Sequence, residues 1–78
     1  MDWKKIKVPA GSKVIRVHHF TYIHKGVNYS LEVDEMSDSR CSGHGEHSKD
    51  KNFVIETVSG NTIEECVNHL VEKISGRT

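Results

Sequence analysis

This chain of 78 residues is poor in several kinds of residue. It has one proline and two cysteines, and apolar residues make up only 35% of the sequence. A chain this short and this polar can fill only a thin, one-sided core. No stretch approaches the roughly 20 consecutive apolar residues of a membrane helix, and the first residues lack a signal-peptide core. We therefore expect a single small domain, residues 1–78, that has no membrane span and resides in the cytoplasm.

The two cysteines, Cys41 and Cys66, can form at most one bridge with each other. Structural disulfides persist mainly in secreted proteins. Because the sequence shows no secretory signal, we expect both residues to be reduced thiols.

The formal net charge is zero, but basic and acidic residues are unevenly distributed along the chain. Residues 1–30 carry six basic residues and one acidic residue, whereas residues 31–78 carry five basic and ten acidic ones. One interpretation is a nucleic-acid surface in the basic half, for which Lys13, Arg16 and Lys25 are the candidates. The other is attraction between the two halves inside the fold. The neutral total favours the second, because nucleic-acid-binding domains are normally basic overall.

The segment Thr62–Ile74 has the spacing of an amphipathic helix. Its apolar residues form one stripe at helical intervals, and they are Ile63, Val67, Leu70, Val71 and Ile74. Thr62 with Glu65 three residues later is a capping box, and Gly76 is a suitable stop. We expect this helix to lie on a sheet formed by the preceding segments.

Two segments, Lys13–His24 and Asn28–Glu35, have the β-branched and aromatic composition of strands. Lys25-Gly26 between them fits a two-residue hairpin turn. That turn sets the register of the two strands. On the apolar face of the hairpin, Tyr22 then lies opposite Tyr29, Phe20 opposite Leu31 and His18 opposite Val33. Val17 has the opposite parity from Phe20, so bringing both inward requires a bulge near His18. Otherwise the strand must pack on both faces at its start.

These elements predict an α+β domain, a three-stranded antiparallel meander with one C-terminal helix packed on one face. The third strand is Asn52–Val58, and the lysine-rich segment around Trp3 can add an N-terminal edge strand. Residues 36–51 between the second and third strands show no apolar periodicity. Because so long a connection in a small domain is usually functional or disordered, we expect a flexible loop there.

One pattern within residues 36–51 suggests a metal site. Cys41, His44 and His47 follow one another at intervals of three, and glycines between them would let the chain fold around an ion. Thiolate and imidazole are the ligands that zinc prefers. The pattern is not one of the familiar paired-cysteine arrangements, so zinc is an alternative, and our main prediction includes no cofactor.

The order of strand, hairpin, strand, long connection, strand and helix resembles the HicB-like antitoxin fold, a partial RNase H arrangement. The resemblance spans roughly residues 20–74 and is carried by two stretches, Tyr22-Ile-His-Lys-Gly-Val-Asn-Tyr29-Ser-Leu-Glu-Val33 and Gly60-Asn-Thr62-Ile-Glu64-Glu65-Cys-Val. The family's Pro-Asp-Leu-Pro-Gly turn is replaced by Asp34-Glu-Met-Ser-Asp38, and no DNA-binding segment follows the helix. The resemblance implies a protein that binds and inhibits a protein partner without catalysis.

A single helix leaves the second face of the sheet uncovered, so that face can meet a partner or a second copy. The candidate contact residues are Trp3, Ile15, Val17 and Ile23. The leading hypothesis is a small non-catalytic protein-binding module, an inhibitor or antitoxin-like regulator that can form a homodimer. The alternatives are a nucleic-acid-binding module and a zinc-binding loop protein.

Overall fold

The computed structural model describes all 78 residues and contains one antiparallel sheet covered on one face by one α-helix. The strands lie side by side in chain order, and they are β1 (Arg16–His24), β2 (Val27–Glu35), β3 (Cys41–His47) and β4 (Val58–Gly60). The helix is α1 (Ile63–Ser75). The predicted fold class, an α+β domain with a C-terminal helix on an antiparallel sheet, is confirmed. The single helix is too short to cross a membrane.

The helix α1 begins where its capping signal predicts. The Thr62 hydroxyl accepts a hydrogen bond from the Glu65 backbone N–H at 3.0 Å, which satisfies one of the free amides of the first turn. Cys66, Leu70 and Ile74 are fully buried against the sheet. Burial of side chains this large stabilises the fold by about 1.5–3 kcal/mol for each leucine or isoleucine.

The β1–β2 hairpin has the predicted turn and the predicted register. Lys25 and Gly26 both adopt positive φ, 51° and 77°, the signature of the type I′ turn that matches strand twist. Tyr22 opposes Tyr29 and Phe20 opposes Leu31 without a bulge. The helix packs on β2, β3 and β4. Phe20 on β1 therefore stays 40% exposed, although it lies on the same side of the sheet as the buried Leu31.

The third strand comes from the segment that was predicted to be a flexible loop, and this part of the prediction was wrong. Residues 41–47 form β3, whereas the predicted strand Asn52–Val58 is irregular up to its last residue. The reason is Gly43, which lies on the helix side of β3 where an apolar residue would normally be. A β-carbon there would come within 3.1 Å of the Leu70 and Val58 side chains. The close approach of the helix requires glycine at this position, so β3 lacks the alternating apolar residues by which strands are recognised in a sequence.

The N-terminal segment adds no edge strand. Trp3–Lys5 forms a single 3₁₀ turn, because the Asp2 side chain accepts a hydrogen bond from the Lys4 backbone N–H. No backbone hydrogen bond joins residues 1–15 to the sheet. The Lys4 ammonium instead donates to the Ser39 hydroxyl at 2.8 Å. The outer edge of β1 is consequently left unpaired.

Candidate functional site: the open face and the free edge

We call the sheet surface opposite α1 the open face. Because side chains alternate between the two faces of a strand, every second residue of each strand belongs to the open face. The residues between them include the buried ones, which confirms the assignment. The open-face residues of the four strands are Val17, His19, Thr21, Ile23, Asn28, Ser30, Glu32, Asp34, Ser42, His44, Glu46 and Ser59. Three of them are carboxylates and none is lysine or arginine. The open face is therefore polar and locally negative.

A row of three side chains crosses the open face perpendicular to the strands. Register places His19 of β1, Glu32 of β2 and His44 of β3 side by side. One Glu32 oxygen lies 3.5 Å from His44 Nε2, and the other lies 3.8 Å from His19 Nδ1. Asp34 lies two residues along β2, and one ligand atom from each of Glu32, Asp34 and His44 falls within 4.8 Å of the others. One imidazole and two carboxylates thus converge on the open face, and the His19 imidazole lies beside the other oxygen of Glu32.

The hydrogen-bonding groups at the outer edge of β1, here called the free edge, can be assigned from the ladder. The Ser48 N–H donates to the Asn28 carbonyl at 3.0 Å, so the even-numbered residues of β2 bond toward β3. The odd-numbered residues of β2 then bond toward β1, because these directions alternate along a strand. Their partners on β1 have even numbers. The backbone N–H and C=O groups that point outward belong to Val17, His19, Thr21 and Ile23.

Apolar side chains flank the free edge on both sides of the sheet. Val17 and Ile23 are 39% and 65% exposed on the open face, and Phe20 is exposed on the helix side. Of the predicted contact residues, Val17 and Ile23 thus lie in β1. Trp3 and Ile15 are half-buried outside the sheet, Trp3 in the 3₁₀ turn and Ile15 directly before β1. Two of the four predicted contact residues thus lie exposed on β1, and the other two lie outside the sheet.

The predicted zinc ligands Cys41, His44 and His47 do not come together, because β3 is extended. Cys41 and His47 lie on the helix side and His44 lies on the open face. The Cys41 side chain is buried. The Nδ1 atom of His47 accepts hydrogen bonds from the backbone N–H groups of Lys49 and Asp50, at 3.0 Å and 2.8 Å. His47 thus holds the following turn, and this set cannot share one ion.

The predicted nucleic-acid contacts Lys13, Arg16 and Lys25 lie on different segments of the chain. Arg16 begins β1 and Lys25 lies in the turn at its other end, about 30 Å away at the rise of an extended strand. The Lys25 ammonium donates to the backbone carbonyl of Thr78 at 2.6 Å. Lys13 lies in the segment before β1. Arg16 and Lys25, at opposite ends of β1, therefore do not belong to one compact basic patch.

Another charged cluster secures the start of β1. His18 Nε2 lies 3.0 Å from Glu35 Oε1, and the Lys4 ammonium lies 3.6 Å from the other oxygen of Glu35. The hydrogen bond from His18, with the nearby Lys4 charge, holds the pKa of the Glu35 carboxyl below its usual value. This cluster ties the N-terminal turn to the end of the β1–β2 hairpin, so we assign it a structural role.

The two cysteines are both free thiols in the core, as expected. Cys41 lies on the helix side of β3 and Cys66 on the buried face of α1. Burial raises the pKa of both thiols, which disfavours the reactive thiolate. Neither residue therefore has the properties of a nucleophile or a metal ligand.

Part of the open-face row could be derived from the sequence. The hairpin turn alone places His19 beside Glu32. His44 could not be added in that way, because its position requires β3 and the pairing of β2 with β3. Comparison of the chain with protein-family models, curated proteins and solved structures gives no match.

Proposed function

We propose that this protein is a small, non-catalytic protein-binding module that associates with a second copy of itself through β1. The observation that carries the proposal is the free edge. It is the outer edge of a nine-residue strand that pairs with β2 on its other side, and it has exposed apolar side chains on both faces of the sheet. Unpaired edges of this kind bind further strands readily.

The two edges of the sheet differ in a way that supports the proposal. Natural proteins usually protect an edge with lysine, proline, a bulge or a very short strand. The far edge is protected in this way, because β4 has only three residues. By contrast, β1 contains neither lysine nor proline and pairs with β2 without a bulge. The free edge therefore has the features of an interface.

In one antiparallel register, β1 can pair with β1 of a second copy along its whole length. If Phe20 lies opposite Phe20 of the second copy, all nine residues of both strands overlap. Val17 then lies opposite Ile23 of the second copy, so every exposed apolar side chain of β1 gains an apolar neighbour. The outward-pointing backbone groups also meet as hydrogen-bonded pairs, and the Phe20 pair falls at a non-hydrogen-bonded position, where side chains approach most closely.

The resulting particle would contain one continuous eight-stranded sheet with a helix near each end. A role as an inhibitor or antitoxin-like regulator, which the resemblance to HicB-like antitoxins implies, would then belong to the dimer. We place this role in the cytoplasm, because two free thiols suit a reducing compartment.

Complementary charges test the register directly. The variants Val17→Lys and Ile23→Glu should each weaken self-association, because each places a charge opposite an apolar side chain. The double variant should restore it, because Lys at position 17 would then lie opposite Glu of the second copy. Positions 17 and 23 are about 20 Å apart within one strand, so no contact inside one chain can cause the rescue.

Sedimentation equilibrium over about 1–100 µM measures these effects as dissociation constants. Val54→Lys is the matched control, since Val54 is 66% exposed and lies outside the strands. We expect a wild-type dimer that the control leaves unchanged. A wild-type monomer throughout this range, or a double variant weaker than both single variants, would contradict the proposal.

A further inference from the structure

We propose that the open face binds one divalent transition-metal ion, of which zinc is the best representative, through His44, Glu32 and Asp34, with His19 as a fourth ligand. The inference does not depend on self-association, because one chain supplies all four side chains. It replaces the sequence-based zinc site, of which only His44 is retained.

The spacing of the side chains suits a zinc ion. Zinc binds imidazole nitrogen and carboxylate oxygen at about 2.0–2.2 Å, so the ligand atoms of a tetrahedral site lie about 3.4 Å apart. The atoms of Glu32, Asp34 and His44 already lie within 4.8 Å of one another. Small side-chain rotations suffice to close the remaining gap, and the three strands that carry the ligands are held in register by their backbone ladder.

The charge of the cluster also favours a cation. Glu32 and Asp34 are two residues apart on β2 and therefore point to the same face. Neither forms an ion pair with lysine or arginine. The nearest cationic partners of Glu32 are His19 and His44, which are themselves metal ligands when neutral. A divalent cation would balance both carboxylates at once and would use the imidazole nitrogens as well.

The ligand types favour a transition metal. Imidazole ligands favour zinc, nickel, copper and iron, whereas sites made only of oxygen favour magnesium and calcium. Two histidines with two carboxylates therefore select the transition-metal class. Calcium, which takes six to eight oxygen ligands, should bind much more weakly.

Another histidine in the same chain offers a matched control. On α1, His69 lies 3.8 Å from a Glu65 oxygen and 4.0 Å from a Glu72 oxygen. It therefore has similar chemistry and similar exposure, but its carboxylates do not converge on one point with it. The variant His69→Asn should leave zinc binding unchanged.

Calorimetric titration of the full chain with zinc chloride, repeated with calcium chloride, provides the test. We expect one zinc ion per chain, and dissociation constants at least about tenfold higher for Glu32→Gln and for His44→Asn. Asp34→Asn is a second, milder variant, and circular dichroism checks that each variant is folded. In the wild-type chain, zinc should shift the imidazole NMR signals of His44 and His19 and leave those of His69 in place.

Two results would overturn the inference. The first is no saturable zinc binding up to about 1 mM, a range in which a working three-ligand site should fill. The second is binding that persists in Glu32→Gln and His44→Asn but is lost in His69→Asn. Neither result bears on the dimer, because residues 32 and 44 lie outside β1.

Discussion

Leu70 of α1 and Gly43 of β3 pack so closely that a β-carbon on residue 43 would lie 3.1 Å from the Leu70 Cδ1 atom. The helix can rest on the middle of the sheet because glycine leaves room for it. Cys66 and Val58 line the same space, so the contact joins the helix to both β3 and β4. The glycine-rich composition of β3 is thus a packing feature of the core.

Replacement of Gly43 by alanine should therefore destabilise the protein. The added methyl group must displace the Leu70 and Val58 side chains, and overpacking of this kind costs about 1–2 kcal/mol. Urea unfolding followed by circular dichroism measures the change. Ser42→Ala is the control, because Ser42 is next to Gly43 but lies on the open face. A variant Gly43→Ala as stable as wild type would contradict the described packing.

The ion pair at Glu35 predicts a dependence of stability on pH. The pKa of this carboxyl is lower in the folded protein than its usual value of about 4.5, so its ionised form stabilises the fold. That contribution is complete above the unfolded pKa and is lost as pH falls through the folded pKa. Glu35→Gln should thus cost about 1 kcal/mol at pH 7. The difference from wild type should shrink in acid.

Urea unfolding of Glu35→Gln at pH 7 and at about pH 3 makes this comparison, since most carboxyl groups are protonated at the lower pH. Glu46→Gln serves as the control, because Glu46 forms no ion pair and its side chain is exposed on the open face. An equal effect of Glu35→Gln at both pH values would show that the charge of Glu35 contributes nothing.

The two cysteines should be inert in the native protein. Burial raises the pKa of both the Cys41 and the Cys66 thiol, so little thiolate is present at neutral pH. We expect a colorimetric thiol reagent to modify neither residue rapidly at pH 8, and to modify both after unfolding in urea. Fast reaction of one thiol before unfolding would mean that it is more accessible than described.

The sequence was sufficient for the elements that follow local rules. The Lys25-Gly26 turn determines the β1–β2 register, and the Thr62 cap with its apolar stripe determines α1. It was insufficient for β3, because the glycines that face the helix there carry no apolar signal. The residues of the alternative zinc site, Cys41, His44 and His47, are separated for the same reason, because their spacing was read for a loop and the segment is an extended strand.

The open-face site was beyond the sequence for a related reason. Its ligands come from three strands, and their proximity depends on the pairing of β2 with β3. The connection is a short turn closed by the Met36 N–H, which donates to the Arg40 carbonyl, but Ser39 and not glycine occupies its positive-φ position, so the sequence carries no clear hairpin signal there. Only the His19–Glu32 pair follows from a local rule.

Amide hydrogen exchange along β1, followed by NMR at several protein concentrations, reports on the pairing of β1 with a second copy residue by residue. The N–H groups of His18, Phe20 and Tyr22 bond to β2 and should be protected at every concentration. Those of Val17, His19, Thr21 and Ile23 point outward, so we predict that they are protected at high concentration and become exposed on dilution. Rapid exchange of these four amides at every concentration, beside protected neighbours, would contradict the pairing of β1 with a second copy.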